Sequence, residues 1–259
     1  FLCPWRCVLR TQWEETSLVG LFSYSALGGG KVVVQAVSPS GEQTAIQEVD
    51  VRPREKREGV KQGNSLSLAT SPDRRFLYAA NRTAPFSIRS FSIRPDGTLA
   101  FLGDAPIVES SPFISTDQTG RFLFIAGNPG DRMDSDGYVS VCRIHNGFVQ
   151  RPHQVIHTPP KTHSVLIDYS NRFVLAPSTD GDVITRFSFN AQSGLLNPDR
   201  FAPIIVRTNS GPRHLRFHPN NRFVYTCTEG AGGVYVHSLE PRDGSMSEIQ
   251  CTTALPADF

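Results

Sequence analysis

His163, Arg213 and Glu229 are the residues of this chain whose types could together do chemistry. An imidazole or a carboxylate can take a proton from water, and a guanidinium can hold the charge that develops on an attacked carbonyl oxygen. Converging on one concave mouth, the three would bind an anionic substrate and activate a water against it. Their spacing argues that they do converge. A short phrase recurs as Arg75-Phe76-Leu77-Tyr78, Arg121-Phe122-Leu123-Phe124, Arg172-Phe173-Val174-Leu175 and Arg222-Phe223-Val224-Tyr225, its Phe positions stepping by 46, 51 and 50 residues. Ten residues before each Phe stand Leu66, Pro112, His163 and Arg213; six after it stand Arg82, Asn128, Thr179 and Glu229. The first position opens an inner strand and the second ends its antiparallel neighbour, so both fall at the same rim. Adjacent repeats thus offer His163 and Arg213, with Glu229 beside them and Arg82 two repeats earlier. A plain cross-strand ion pair of Arg213 with Glu229, capping a channel, explains the spacing as well.

The elements that must position these groups are short strands. Residues 212–218 alternate, the turn His218-Pro219-Asn220-Asn221 reverses them, and runs from Phe223, Val234 and Ser247 follow. Ser164–Ile167, Phe173–Ala176, Val183–Phe189 and the run after Gln192-Ser193-Gly194 repeat that order. Period-two alternation, β-branched and aromatic residues and Gly/Pro/Asn/Asp punctuation agree, and no segment has a helical period. Self-similarity of this length marks an all-β chain of four-stranded antiparallel propeller blades. The blades fall at about 19–52, 64–108, 111–157, 162–207 and 212–254, leaving residues 1–18 outside any repeat. The first blade lacks an evident innermost strand, and no C-terminal segment offers one. The expectation is a partial propeller over 19–259.

With 39% hydrophobic and 19% charged residues and a net charge of +2, the 259-residue chain has an ordinary globular composition and points to neither nucleic acid nor membrane. The basic run at Arg52–Arg57 reads as a solvated loop. No apolar run nears the roughly 18 residues of a membrane span. Five scattered cysteines form no disulfide framework, which points to a reducing, cytoplasmic setting, and Cys3 and Cys7 lack partners for a zinc set. His218 reads as a turn residue. Asp180 and Asp182 could hold a cation, but a tight hairpin accounts for them too. Gly28–Gly30 and Gly230–Gly233 lack the strand–helix context of a phosphate loop, and no serine-hydrolase or zinc-protease motif occurs. Asn81-Arg82-Thr83 is a formal sequon read as accidental.

Gly211-Pro212-Arg213-His214-Leu215-Arg216-Phe217-His218-Pro219-Asn220, with Tyr225-Thr226-Cys227-Thr228-Glu229 after it, resembles the lactonase family of seven-bladed propellers. Ser71-Pro72-Asp73-Arg74-Arg75-Phe76-Leu77-Tyr78 and Thr162-His163-Ser164 are similar as well, and the resemblance runs from about Val19 to Phe259. It implies about five of seven blades and a metal-independent, cofactor-free enzyme acting on a small-molecule lactone. His163, Arg213 and Glu229 match the family's proposed catalytic groups, and Arg82 and His214 would bind substrate. A further family Arg falls beyond Phe259, and Val183 stands where many members carry Arg. The expected reaction is hydrolysis of 6-phosphogluconolactone. Carboxymuconate cyclisation, a non-catalytic binding propeller and an inactive fragment are the alternatives.

Overall fold

Each copy of the repeated phrase opens the second strand of an antiparallel sheet of four strands, or in one case five, in the computed structural model, which describes residues 7–10, 20–52, 66–127, 136–198 and 202–256. The first sheet joins β1 (Cys7–Arg10), β2 (Leu21–Leu27), β3 (Lys31–Val37) and β4 (Gln43–Asp50). The second holds β5 (Ser67–Thr70), β6 (Phe76–Asn81), β7 (Ser87–Ile93) and β8 (Leu99–Pro106). The third holds β9 (Phe113–Thr116), β10 (Phe122–Gly127), β11 (Gly137–His145) and β12 (Phe148–Thr158). In the fourth, β13 (Leu166–Ile167), β14 (Phe173–Ser178), β15 (Val183–Asn190) and β16 (Leu195–Pro198) are joined by β17 (Ile204–Ile205) on β15. The fifth holds β18 (Pro212–Phe217), β19 (Phe223–Thr228), β20 (Gly233–Leu239) and β21 (Met246–Thr253). No helix occurs among the described residues. Sheets whose strands lie side by side in chain order are propeller blades.

The chain divides into two compact units, Phe1–Ser110 with Ile144–Arg151 and Ser111–Arg143 with Pro152–Phe259. In the first unit, β1 supplies the strand that the sequence did not reveal: Cys7–Arg10 pair antiparallel with Tyr24–Leu21. Four residues are too few to carry a readable alternation, which is why composition alone gave no sign of it. The core of this unit gathers Tyr24, Val32, Val34, Leu77, Ala79 and Phe91. In the second unit one cluster centres on Phe124, Val141, Val174 and Phe187, another on Leu175, Ile184, Leu215 and Tyr235.

Burial follows position within each sheet. The second strands β10 and β14 are buried at every residue, and their sequences are nearly unbroken apolar runs. A strand covered on both faces has no reason to alternate. The outer strands β4 and β21 are largely exposed and polar. The turns before β10 and β14 are built alike. Asp117 accepts the amides of Thr119 (3.1 Å), Arg121 (2.8 Å) and Phe122 (2.9 Å), and Asp168 does the same for Ser170 (3.1 Å), Arg172 (2.8 Å) and Phe173 (2.8 Å). Within the second unit, Asn171 donates to Asp117 (3.1 Å) and Asn221 to Asp168 (2.8 Å), stitching each turn to the preceding one. The repeated Arg-Phe pair has a local cause: the guanidiniums of Arg75, Arg121 and Arg172 lie 5.4, 5.7 and 5.0 Å from the ring centroids of the Phe that follows each.

Candidate active site

Two short approaches in the second unit carry the predicted groups. The chain reaches His163 through Lys161, whose φ is 54°, and through Thr162, which bridges to Ser178. The Thr162 hydroxyl lies 2.6 Å from that of Thr158 and 2.7 Å from that of Ser178, a buried chain of three side-chain oxygens. Gly137 backs Thr162 so closely that a Cβ there would lie 2.8 Å from the Thr162 nitrogen, so only glycine fits. The His163 amide donates to the Pro177 carbonyl at 2.9 Å, which fixes the backbone from which the imidazole projects.

Arg213 sits in a β-bulge. Pro212 pairs with Thr228 and His214 with Cys227, leaving Arg213 as the extra residue on β18. A bulge breaks strict alternation and re-aims the side chains beside it. Here it lets consecutive residues address one partner: Arg213 Nε donates to His163 Nε2 at 3.2 Å, and the His214 ring meets the His163 ring edge-on at 4.9 Å between centroids. Glu229, one residue past β19, lies with Oε2 3.4 Å from the same Arg213 Nε. Imidazole, guanidinium and carboxylate therefore form one contiguous set, as the repeat spacing predicted.

Arginine cannot accept, so in this contact His163 Nε2 presents its lone pair to the Arg213 N–H. Among the described residues, Arg213 makes no hydrogen bond through either Nη, and Glu229 none through Oε1. The side chains of Arg213 and Glu229 are 42% and 53% exposed, so these atoms are open to a ligand. Burial pushes the His214 imidazole down to about 4, and the guanidiniums of Arg213 and Arg216 add to that, so it is neutral at pH 7.

The other sequence candidates lie apart from this set in their hydrogen bonds. Arg82 lies in the first unit, past the end of β6, where its Nε donates to Ser110 Oγ at 3.1 Å. Asn81, of the sequon, is buried, and its amide donates to the carbonyls of Thr83 and Pro85. His218 Nδ1 accepts the Asn220 amide at 3.2 Å in its turn. Asp180 pairs with Lys161 at 2.8 Å, and Asp182 accepts the amides of Asn209 and Gly211. Asn128 lies outside the described residues. Two positions escaped the sequence reading. The bulge was not foreseen, although Gly-Pro ahead of a strand hints at an irregular entry. Gly230 was set aside with the glycine run, yet a Cβ there would lie 2.4 Å from the Asn209 carbonyl oxygen.

Residues 29–259 match the family model described as Lactonase, 7-bladed beta-propeller. The chain belongs to this family. Among lactonase relatives, a 6-phosphogluconolactonase of Yersinia pestis (strain Pestoides F) is 35% identical over 230 residues, which are 88% of this chain and 64% of that protein. One from Yersinia enterocolitica is 34% identical over the same shares. The chain thus spans a little under two thirds of the length of these lactonases. A solved structure of the Pseudomonas aeruginosa periplasmic gluconolactonase, PpgL, superposes with a TM-score of 0.74 at 21% identity, covering 90% of this chain and 69% of that one. A Bacteroides fragilis structure titled a putative 6-phosphogluconolactonase gives a TM-score of 0.73 at 20% identity, covering 98% and 68%. At those identities the structures establish the all-β propeller fold of this chain. The described residues contain no helix long and apolar enough to cross a membrane.

Proposed function

We propose that this chain carries the site of a lactone hydrolase whose substrate is 6-phosphogluconolactone. The observation that carries the reading is the state of Arg213. Its Nε is held between an imidazole and a carboxylate, while both Nη groups are unengaged among the described residues. A guanidinium braced at one edge and open at the other suits a carbonyl oxygen that turns anionic under attack. The curated relatives bearing the name 6-phosphogluconolactonase support the choice of lactone.

Glu229 is assigned as the general base. Its Oε1 can take a water proton while Oε2 stays on Arg213, whereas the only lone pair of His163 Nε2 already faces Arg213. The water oxygen bonds to the lactone carbonyl carbon and its proton passes to Glu229. The resulting oxyanion is held by the Arg213 Nη groups. Its collapse breaks the ring C–O bond, and the departing alkoxide takes the proton back from Glu229, leaving the open-chain acid. His163 fixes the plane of the guanidinium, and the neutral His214 offers a contact for substrate hydroxyls. Arg82 stands outside this proposal, which uses residues of the second unit alone. The free thiols Cys142, Cys227 and Cys251 support the cytoplasm as the place of action.

Steady-state lactone hydrolysis by the full chain tests the assignment. Arg213→Ala is expected to lower kcat/KM by about a hundredfold. Glu229→Gln is expected to lower kcat by about a hundredfold or more, with KM little changed. A near-wild-type rate for Arg213→Ala removes Arg213 from the chemistry and with it this reading.

A further inference from the structure

We infer that Asp182 is the positioning residue of this site, its carboxylate setting the loop that aims Arg213 and seats Glu229. Asp182 Oδ2 accepts the Asn209 amide at 2.6 Å and Oδ1 accepts the Gly211 amide at 2.8 Å, while its carbonyl accepts the Val206 amide at 3.0 Å. Asp182, Asn209 and Gly211 all have left-handed backbones, with φ of 50°, 60° and 62°. Such conformations persist where the surroundings over-determine them, and amides turned to one side around left-handed residues form a concavity that suits an anion. Here the anion is a side chain from the β14–β15 hairpin.

What the carboxylate grips is the hinge of the site. Gly211 precedes Pro212 and the bulge that frees Arg213, and the Gly211 carbonyl accepts the Glu229 amide at 2.8 Å. The neighbouring Ser210 carbonyl accepts the amides of Gly230 and Ala231 at 3.0 and 3.2 Å. Two hydrogen bonds from Asp182 therefore constrain the entry to Arg213 and, one step on, the backbone of Glu229. Asp180, two residues earlier, does none of this; it pairs with Lys161 at the surface. With both Asp182 oxygens given to amides, the hairpin explains the acidic pair without a cation. The kinetic part of the inference rests on the hydrolase reading; the geometric part does not.

Two readouts on the full chain separate them. The first is hydrogen exchange at the amides of Gly211 and Glu229–Ala231. Asp182→Asn is expected to speed it at least tenfold with the exchange of the β14 core unchanged; unchanged exchange at these amides overturns the inference. The second is a double-mutant cycle on lactone hydrolysis. Asp182→Asn alone is expected to lower kcat/KM by about tenfold or more, and by less than twofold in an Arg213→Ala background. Effects that multiply independently overturn the positioning role. Should Arg213→Ala leave hydrolysis untouched, the hydrolase reading fails and the exchange result alone decides the inference. If Asp182→Asn does not fold, Asp182→Ser, which keeps one acceptor oxygen, is read in the same way.

Discussion

One guanidinium nitrogen, Nε of Arg213, faces both His163 Nε2 and Glu229 Oε2. That sharing turns the His163 Nε2 lone pair toward Arg213 and leaves both Nη groups of Arg213 unengaged among the described residues. Lysine at 213 could not reproduce it, because an ammonium lacks the planar fork that meets two acceptors and still presents two more donor groups. His214 gives the site a pH signature. Its folded value near 4 lies below the ordinary 6.5, so the folded state disfavours the proton that the unfolded chain accepts. Its contribution to stability is full above about 6.5 and is lost as pH falls through about 4. Urea unfolding at pH 7, 5 and 4 is expected to show a falling midpoint, and His214→Gln is expected to flatten part of that fall. Equal pH slopes for the two proteins would contradict it. That His163, Arg213 and Glu229 meet was legible in the sequence because the repeated Phe supplied a ruler. Asp182 was legible only as a choice between cation ligand and hairpin residue, since which amides turn toward a carboxylate is a matter of backbone angles.

At the scale of the element, the sheets make the site by departing from regularity at two points. The inner strand of the fourth sheet shrinks to Leu166–Ile167, so His163 projects from an irregular stretch tied down by hydroxyl contacts. In the fifth sheet the bulge brings Arg213 and His214 toward one ring. Strand number, order and turns could be read from alternation and turn chemistry, because those depend on local composition. A one-residue slip in pairing leaves no mark on composition, so beyond the Gly211-Pro212 pair nothing announced the bulge. Gly230 shows how tightly the irregular part is built. Replacing it with alanine puts a carbon against the backbone at Asn209, whereas at Gly233 the nearest backbone atom is the Thr252 oxygen, at 3.2 Å. Gly230→Ala is expected to cost about 1–3 kcal/mol in chemical denaturation and Gly233→Ala distinctly less. Lactonase activity is expected to fall with the first alone. The reverse order would show that the 209–211 loop yields freely.

For the whole molecule, family membership and an all-β architecture came from the repeat and the Gly-Pro-Arg-His segment, both of which are spelled out in residues. The strand β1 was not, since Cys7–Arg10 are recognised as part of a sheet only by their pairing with β2. Ligand-linked stability offers a test of the site that does not depend on turnover. The product of the proposed reaction, 6-phosphogluconate, is expected to bind the native and not the unfolded chain, so that a hundredfold excess over its Kd adds about 2.7 kcal/mol. Differential scanning calorimetry should register this as a rise in Tm. The rise is expected to be smaller with gluconate, which lacks the phosphate, and absent in Arg213→Ala. A full shift in that variant would place the ligand elsewhere on the protein.

The residue two places before each repeated Phe is Arg74, Gly120, Asn171 or Asn221, and all four have left-handed backbones, with φ of 59°, 69°, 59° and 57°. Glycine and asparagine tolerate that conformation; a long side chain pays about 1–2 kcal/mol for it. The second sheet therefore carries a latent reserve. Asparagine at position 74, borrowed from its sister turns, is where a thermostabilised form of this scaffold would begin.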